Sequence, residues 1–192
     1  MAAANTLRGS GFRIGWVMAD AGWLRGRIRD VADFPSAGIV FRDLTPLLGD
    51  AEALRVTVDA LADTFAGRRV DKVVGIEARG FILAAPVAYR LGAGFVPVRK
   101  AGKLPWKTEA EEYALEYGVD RLELHADAMA PGDEVVVVDD VIATGGTAQA
   151  TVRLIERLGA TVAGLAFAVE LTFLAGREKL EGYDVVSLVT YE

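Results

Sequence analysis

The sequence predicts an α/β fold with a doubly wound, mainly parallel sheet. Short apolar runs rich in valine alternate with segments whose apolar residues recur at helical spacing, which is typical of strands joined by crossover helices. Residues 135–138 are consecutive valines, the pattern of a strand that is buried on both faces. A chain of 192 residues is long enough for one such domain with a complete core.

The predicted elements follow in chain order. Asp50 is placed to cap a helix whose apolar side chains share one face, and Gly67 is placed to end it. A second predicted helix, residues 78–91, contains Pro86, so it either begins late or kinks. A third, amphipathic helix is predicted over residues 148–158. The predicted strands cover residues 72–77, 94–99, 121–125, 135–138, 162–169 and 185–189.

Composition and charge exclude several classes of protein. The absence of cysteine removes disulfides, thiolate chemistry and cysteine zinc sites, and the single histidine, His125, leaves no histidine cluster for a transition metal. His125 falls in an alternating stretch that predicts an outer strand and a structural role. Uncharged runs reach about a dozen residues, short of the roughly 18–20 that span a bilayer. The net charge of −6 argues against a nucleic-acid binder, which is usually basic.

Residues 135–147, VVVVDDVIATGGT, carry the main functional signal. Asp139 and Asp140 come at the end of the valine strand, where ligands bind in parallel α/β sheets. The glycine-rich loop that follows leads into a helix, so its backbone N–H groups and the helix dipole suit a phosphate. Acids beside an anion receptor therefore predict a sugar phosphate as the ligand.

Each part of this segment also has a simpler interpretation. Adjacent acids are commonly solvated loop residues, and Gly145-Gly146 alone would be an ordinary turn more often than a phosphate site. Joined in this order behind a buried strand, they form a more specific pattern. The segment lacks the nucleotide P-loop pattern and the spaced glycines of the dinucleotide fingerprint.

Two groups of cations follow other predicted strands. Arg79 comes after the strand at residues 72–77, and Arg99, Lys100 and Lys103 follow the strand at residues 94–99. Taken alone, Arg79 could pair with Glu77 across the turn, and the basic cluster could be a solvated face. Since both groups lie at the sheet edge predicted to carry the acids, pyrophosphate binding is the favoured interpretation.

Residues 135–147 resemble the signature of the type I phosphoribosyltransferase family, which binds phosphoribosyl pyrophosphate. The resemblance implies that Asp139 and Asp140 contact the ribose hydroxyls and that the loop holds the 5′-phosphate. It also implies a small N-terminal hood, a mobile lid loop and Mg²⁺ as cofactor, held through substrate and water near the two acids rather than by direct protein ligands. The implied donor-binding residues are Arg79, Arg99, Lys100, Lys103, Ala143, Thr144, Gly145, Gly146 and Thr147.

Resemblance to the branch of this family that acts on adenine extends from about residue 20 to residue 192. It is carried by residues 33–46, 102–105, 113–118, 169–172 and 176–180. This resemblance implies a purine salvage enzyme, a cytoplasmic homodimer that makes AMP from adenine. The hood would cover about residues 20–48, where Val40, Phe41 and Arg42 would frame the base. The lid would cover about residues 100–117, and its Glu116 would be the acid/base group.

Several alternatives remain open at the level of the residues. Phe41 could be plain core, Glu116 could be the solvent side of a strand, and Trp106 could pack on the closed lid or on another subunit. The chemistry could also act on hypoxanthine, guanine or xanthine, or the chain could be a regulator that senses the donor without catalysis. The acidic charge, the presence of Glu116 and the lack of a spare domain argue against the regulator.

The N-terminal residues stand apart. Residues 1–19 are expected to be a disordered extension, with translation starting naturally at Met18 and one phosphoribosyltransferase domain over residues 20–192. A helical pattern is predicted from Trp23 to Val31, and Asp43 is predicted to be a local hydrogen-bonding partner or cap.

Overall fold

The computed structural model describes residues 12–14, 17–114 and 119–192. The chain divides into two compact units, Met1–Ala60 and Leu61–Glu192. Within the first unit, strands β1 (Phe12–Ile14) and β2 (Val17–Ala19) pair antiparallel. The rest of the expected extension lies outside the described residues, so its disorder and the start at Met18 stay predictions.

The first unit continues with a small hairpin and short helices. Strands β3 and β4 are antiparallel, with Val31 opposite Phe41. The helical pattern predicted from Trp23 to Val31 is wrong, because the first helix ends at Arg25, Gly26 caps it, and Val31 lies in β3. The elements are α1 (Ala21–Arg25), β3 (Arg29–Ala32), β4 (Val40–Asp43), α2 (Thr45–Gly49) and α3 (Ala51–Asp63), whose last residues belong to the second unit.

Two aspartate side chains bind nearby backbone N–H groups, as the sequence predicts. The backbone N–H of Ala53 donates to Oδ1 of Asp50 at 2.8 Å, which confirms the cap of α3. Asp43 is a local partner, since its carboxylate accepts from the backbone N–H of Thr45 at 2.9 Å and from its hydroxyl at 2.8 Å. Helix α3 ends at Asp63, before the predicted Gly67, while Phe65 is fully buried.

The second unit is built on one sheet. Among the described residues this sheet has seven strands in the order β11-β10-β9-β5-β6-β8-β7, parallel from β11 to β6 and antiparallel beyond it. The mainly parallel α/β fold is therefore confirmed. The elements are β5 (Lys72–Ile76), α4 (Gly80–Leu91), β6 (Gly94–Lys100), β7 (Thr108–Ala114), β8 (Val119–His125), β9 (Glu134–Ile142), α5 (Gly146–Arg157), β10 (Thr161–Leu171) and β11 (Val185–Tyr191).

Helices cover both faces of this sheet. Val74 and Ile76 pack with Leu154 of α5 in one core cluster, whereas Gly75 faces α4, because a Cβ atom there would lie 2.7 Å from Cβ of Ala84. The valines at 135–138 are fully buried, as predicted. Helix α4 begins at Gly80, later than predicted, and still contains Pro86.

The segment predicted to be an irregular lid contains a strand that the sequence analysis missed. Strand β7 pairs with β8 along its length, from Thr108 opposite His125 to Ala114 opposite Val119. Its sequence, TEAEEYA, is too polar to indicate a buried strand. Residues 115–118, with Glu116, lie outside the described residues. His125 is in a predicted strand, but β8 lies inside the sheet rather than at its edge. In the described part of the chain, no helix is long and apolar enough to cross a membrane.

Candidate functional site

Three parallel strands bring the predicted site residues to one edge of the sheet. Gly75 of β5 lies opposite Val138 of β9, and Ile76 lies opposite Val98 of β6. The residues that follow these positions therefore emerge together at the carboxyl ends of the strands, where parallel α/β sheets bind ligands. This edge carries Glu77, Arg79, Arg99, Lys100, Asp139 and Asp140.

Asp139 and Asp140 lie within the last part of β9, which continues to Ile142. The backbone N–H of Asp140 donates to Oδ1 of Asp139 at 2.9 Å, and the guanidinium of Arg79 is ion-paired with the Asp140 carboxylate. Arg79 therefore has an acidic partner that the sequence analysis did not foresee. Asp140 is nearly buried and committed to Arg79, while Asp139 keeps some surface in a crevice.

The environment of Asp139 favours its neutral form. Although Asp139 keeps some exposed surface, many protein atoms lie near its carboxyl group, and this partial removal from water raises the pKa of Asp139 well above its usual value. The negative charge of Asp140 raises that pKa further, and the backbone hydrogen bond and Arg79 oppose the rise only in part. A neutral carboxyl group can both donate and accept hydrogen bonds, which suits contact with sugar hydroxyls.

Glu77 is the centre of the basic group. Its Oε2 accepts from Nε of Arg99 and from the backbone N–H of Lys100, both at 3.2 Å, and its Oε1 is bonded to the ammonium of Lys103. Burial alone would raise the pKa of Glu77, but these hydrogen bonds and the positive charges of Lys103 and Arg99 hold it below its usual value. The Glu77 carboxylate thus holds the side chains of Arg99 and Lys103 close together near the strand ends.

Lys100 has a different acidic partner. Its Nζ lies 3.1 Å from Oδ2 of Asp120 on β8. The hydrogen bond and charge of Asp120 raise the pKa of Lys100, so its ammonium is fully protonated at neutral pH. The cations predicted to bind pyrophosphate are therefore all close to carboxylates: Arg79 to Asp140, Arg99 and Lys103 to Glu77, and Lys100 to Asp120.

The glycine-rich loop leads directly into α5. Gly145 is the N-cap residue with φ of 73°, a left-handed conformation that favours glycine, and α5 begins at Gly146. The first N–H groups of a helix have no partner within the helix and are available to an anion. Asp139 and Ala143, Thr144, Gly145 and Thr147 line the same cavity of about 80 Å³. Asp139 and most of the loop therefore face a common crevice, whereas Asp140 and Gly146, which were also predicted to bind the donor, do not line it.

A second segment supports this loop from behind. Gly176 packs so closely against the loop that a Cβ atom on it would overlap the carbonyl oxygen of Ala143 and lie 2.7 Å from the backbone nitrogen of Gly145. Gly176 begins a short 3₁₀ turn, Gly176–Leu180, and the next residue, Arg177, is ion-paired with Glu170 through Nε at 2.9 Å. In the sequence this segment stands out only by its resemblance to the family, and no local pattern marks Gly176 as a residue that supports the loop.

The residues predicted to frame adenine lie in the first unit and are described there. Val40 is exposed, and the ring of Phe41 is half-buried and packs edge-to-face on Phe34 with centroids 5.2 Å apart. Arg42 is ion-paired with Asp30. Val40 and Phe41 lie on opposite faces of the hairpin strand, with Val40 exposed and Phe41 only partly buried, so both roles considered for Phe41 stay open.

Glu116, the predicted acid/base group, lies outside the described residues. Within the described ranges, no group of three or more acidic, histidine or cysteine side chains is gathered to hold a metal ion. The side chains of Asp139 and Asp140 are hard oxygen donors, the type that suits Mg²⁺ with its retained waters.

The sequence of this chain is similar to a known protein family and to individual proteins of known name. Residues 52–189 match the family described as phosphoribosyl transferase domain. The chain is 59% identical over 174 residues to the adenine phosphoribosyltransferase of Anaeromyxobacter dehalogenans, covering 91% of this chain and 100% of that one. It is 55% identical over 168 residues to the adenine phosphoribosyltransferase of Thermotoga neapolitana, covering 88% and 99%.

Solved structures of similar proteins agree with the fold. The adenine phosphoribosyltransferase of Thermoanaerobacter pseudethanolicus has a TM-score of 0.87 and 51% identity, over 90% of this chain and 100% of that chain. The Saccharomyces cerevisiae protein, solved with adenine and an imino-altritol bisphosphate, has a TM-score of 0.84 and 40% identity, over 88% and 98%.

Proposed function

This chain belongs to the phosphoribosyltransferase family, and we propose that it transfers the phosphoribosyl group of phosphoribosyl pyrophosphate to adenine. The products are AMP and pyrophosphate, which makes the reaction a step of purine salvage. The observation that carries the proposal is the common crevice of Asp139 and the loop at Ala143–Thr147, in a chain that matches adenine phosphoribosyltransferases over nearly its whole length.

The phosphate loop is assigned to the 5′-phosphate of the donor. The left-handed Gly145 and the start of α5 at Gly146 leave backbone N–H groups at the positive end of a helix. This phosphate is remote from the reacting bond, so its binding energy holds the sugar in place during the reaction. Asp139, next to it in the crevice, is assigned to the ribose hydroxyls.

The leaving pyrophosphate is assigned to Arg79, Arg99, Lys100 and Lys103. As the bond from C1′ to the pyrophosphate oxygen breaks, negative charge grows on the leaving group and positive charge grows on C1′. Cations fixed before the reaction stabilise the leaving charge without having to move, which is an effective form of catalysis. Glu77 supports this role because it holds Arg99 and Lys103 together at the strand ends.

The acceptor base is assigned to the hairpin residues Val40, Phe41 and Arg42. An aromatic ring beside backbone donors and acceptors suits a planar heterocycle. N9 of adenine attacks C1′ and loses its proton, and Glu116 is assigned as the acid/base group that takes part in this proton transfer. The lid that limits loss of the donor to water is assigned to about residues 100–117, which include the exposed Trp106.

Magnesium is assigned as the cofactor of this chain, as is general in the family. Asp139 and Asp140 supply hard oxygen atoms that would hold its hydration shell beside the ribose. The ion supplies positive charge to the pyrophosphate when it is bound. We also propose that the protein is a homodimer in the cytoplasm, as the family implies.

The test is an assay of the purified protein with phosphoribosyl pyrophosphate and Mg²⁺, in which each purine and pyrimidine base is offered separately. We expect AMP from adenine at a rate well above that of any other base. Preference for hypoxanthine or guanine would reject the base assignment and leave the donor site intact. Binding of the donor without nucleotide formation from any base would instead indicate the regulator.

A further inference from the structure

Tyr113, to which no role is yet assigned, lies between the two ends of the candidate donor site. Its hydroxyl donates to Oδ2 of Asp120 at 3.1 Å, and the same carboxylate lies 3.1 Å from Nζ of Lys100. The side-chain hydroxyl of Thr147, in the phosphate loop, is near enough to the phenol to lower the pKa of Tyr113. Tyr113 thus lies beside the phosphate loop and is linked to a pyrophosphate cation, Lys100, through Asp120.

Ion pairs and a hydrogen bond hold strand β7, which carries Tyr113, against helix α5. Glu111, on the same strand β7, lies 3.2 Å from Nη1 of Arg153 of α5 and is also ion-paired with Arg157. Nη1 of Arg157 donates to the backbone carbonyl of Ala110 at 2.7 Å. These contacts fasten β7 to the helix whose N-terminus forms the phosphate loop. Tyr113 also packs against the core cluster that contains α5 residues.

Asp120 is also held in position, by strand pairing and by a backbone hydrogen bond. It lies directly opposite Tyr113 in the antiparallel pair of β7 and β8, and its Oδ1 accepts from the backbone N–H of Arg121 at 2.8 Å. Burial raises the pKa of Tyr113, and Asp120 raises it further, so the phenol stays protonated at neutral pH and remains a hydrogen-bond donor.

We propose that Tyr113 is a positioning residue that sets the side chain of Thr147 directly and the ammonium of Lys100 through Asp120. The proposal rests on the proposed function, because Thr147 and Lys100 would bind the 5′-phosphate and the pyrophosphate of one donor molecule. The span between these two groups is then set by a side chain that touches neither reacting atom. Its loss loosens both ends of the donor site together and leaves the chemistry at C1′ in place.

The experiment uses the full chain with Tyr113→Phe, which removes the hydroxyl and keeps the ring. We expect the KM for phosphoribosyl pyrophosphate to rise about fivefold, the effect of one lost hydrogen bond, while kcat changes less than about twofold. Ribose 5-phosphate and pyrophosphate, each tested as an inhibitor, probe one end of the site apiece. We expect both to bind about threefold to fivefold more weakly.

Tyr183→Phe is the matched control. The Tyr183 hydroxyl donates to Oε1 of Glu156 at 2.7 Å, so this change also removes a tyrosine–carboxylate hydrogen bond at α5, but away from the donor site. We expect wild-type kinetics from it. If Tyr113→Phe has wild-type kinetics as well, or weakens only ribose 5-phosphate, the link between the two ends is wrong. An inactive wild-type protein would instead reject the proposed function.

A second background tests the route through Asp120. In an Asp120→Asn protein, Tyr113→Phe should no longer weaken pyrophosphate binding, since the intermediate carboxylate is gone, and it should still weaken ribose 5-phosphate. An equal loss of pyrophosphate binding in both backgrounds would show that the phenol does not act through Asp120. Thermal unfolding of each variant reports any loss of stability separately from these ratios.

Discussion

The backbone of Gly80 lies directly against the carboxylate of Asp139. A Cβ atom at position 80 would overlap Oδ1 of Asp139 and lie 3.3 Å from its Cα atom. Because Gly80 is the first residue of α4, the start of that helix sets the position of the acid. The glycine after Arg79 is therefore part of the site, although it carries no functional group.

Gly80→Ala tests this contact. We expect kcat/KM for the donor to fall about tenfold to a hundredfold, because the added methyl group must displace the carboxylate that would hold the ribose. Steady-state kinetics measures this loss, and thermal unfolding reports the accompanying strain. Gly49→Ala is the control, since a Cβ atom at Gly49 meets nothing within 4 Å. Equal kinetics in the two variants would show that Gly80 does not place Asp139.

Asp139→Asn separates stability from activity. Burial and the charge of Asp140 raise the native pKa of Asp139, whereas its unfolded pKa is about 3.9, so the native state holds a proton that the unfolded state releases. The wild type thus loses stability as the pH rises above about 4 toward the native pKa. We expect the variant to match the wild type near pH 4 and to melt roughly 2–4 °C higher at pH 8. It should also be far less active. A stability gain at pH 4 that vanishes at pH 8 would reverse the sign of the argument.

Lys103→Met tests the assignment of the loop cations. We expect the KM for phosphoribosyl pyrophosphate to rise about tenfold, and the dependence of that KM on salt to become shallower, because one charge that faces the pyrophosphate is lost. Lys107→Met removes another exposed lysine from the same segment and should leave both quantities unchanged. Similar effects from the two lysines would indicate a general field rather than a contact.

Gly176→Ala tests the support behind the phosphate loop. The new methyl group would push on Ala143 and Gly145, so we expect the binding of ribose 5-phosphate to weaken at least about tenfold. Pyrophosphate inhibition should change little, since the cations at the other strand ends are untouched. A parallel loss for both ligands would mean that the substitution unsettles the whole unit.

Glu116→Ala tests the acid/base assignment. If Glu116 manages the proton on N9 of adenine, kcat should fall about a hundredfold while the KM for the donor changes little. The pH profile of kcat should also lose one of its limbs. A change confined to donor binding would remove the acid/base role and leave Glu116 as a part of the lid.

Much of the fold follows from local residue pattern, because apolar runs, amphipathic spacing and capping residues are each contained in a short stretch of sequence. The valine strand and the cap by Asp50 are of this kind. Strand β7 has no such signal: its pairing depends on β8 and on the ion pairs of Glu111 with α5, which are contacts distant in sequence. The helix predicted from Trp23 to Val31 does not form over its whole length, because Val31 pairs with Phe41 of β4 in a hairpin.

The candidate site divides in the same way. Asp139 and the loop at Ala143–Thr147 could be found because one continuous segment holds them. The partners of the cations could not, because Glu77, Asp120 and Asp140 meet them only when separate strands end at one edge. Gly80 and Gly176 were also missed, since the close approach of a glycine backbone to a residue distant in sequence leaves no trace in local spacing.

The carboxylate partners of the four cations affect how tightly the donor can bind. Arg79, Arg99, Lys100 and Lys103 already neutralise carboxylates, so an incoming diphosphate must exchange one set of counter-ions for another. Its affinity is a difference between two large electrostatic terms rather than their sum. A small monovalent anion such as chloride has too little charge to make that exchange, so the site resists occupation by background salt.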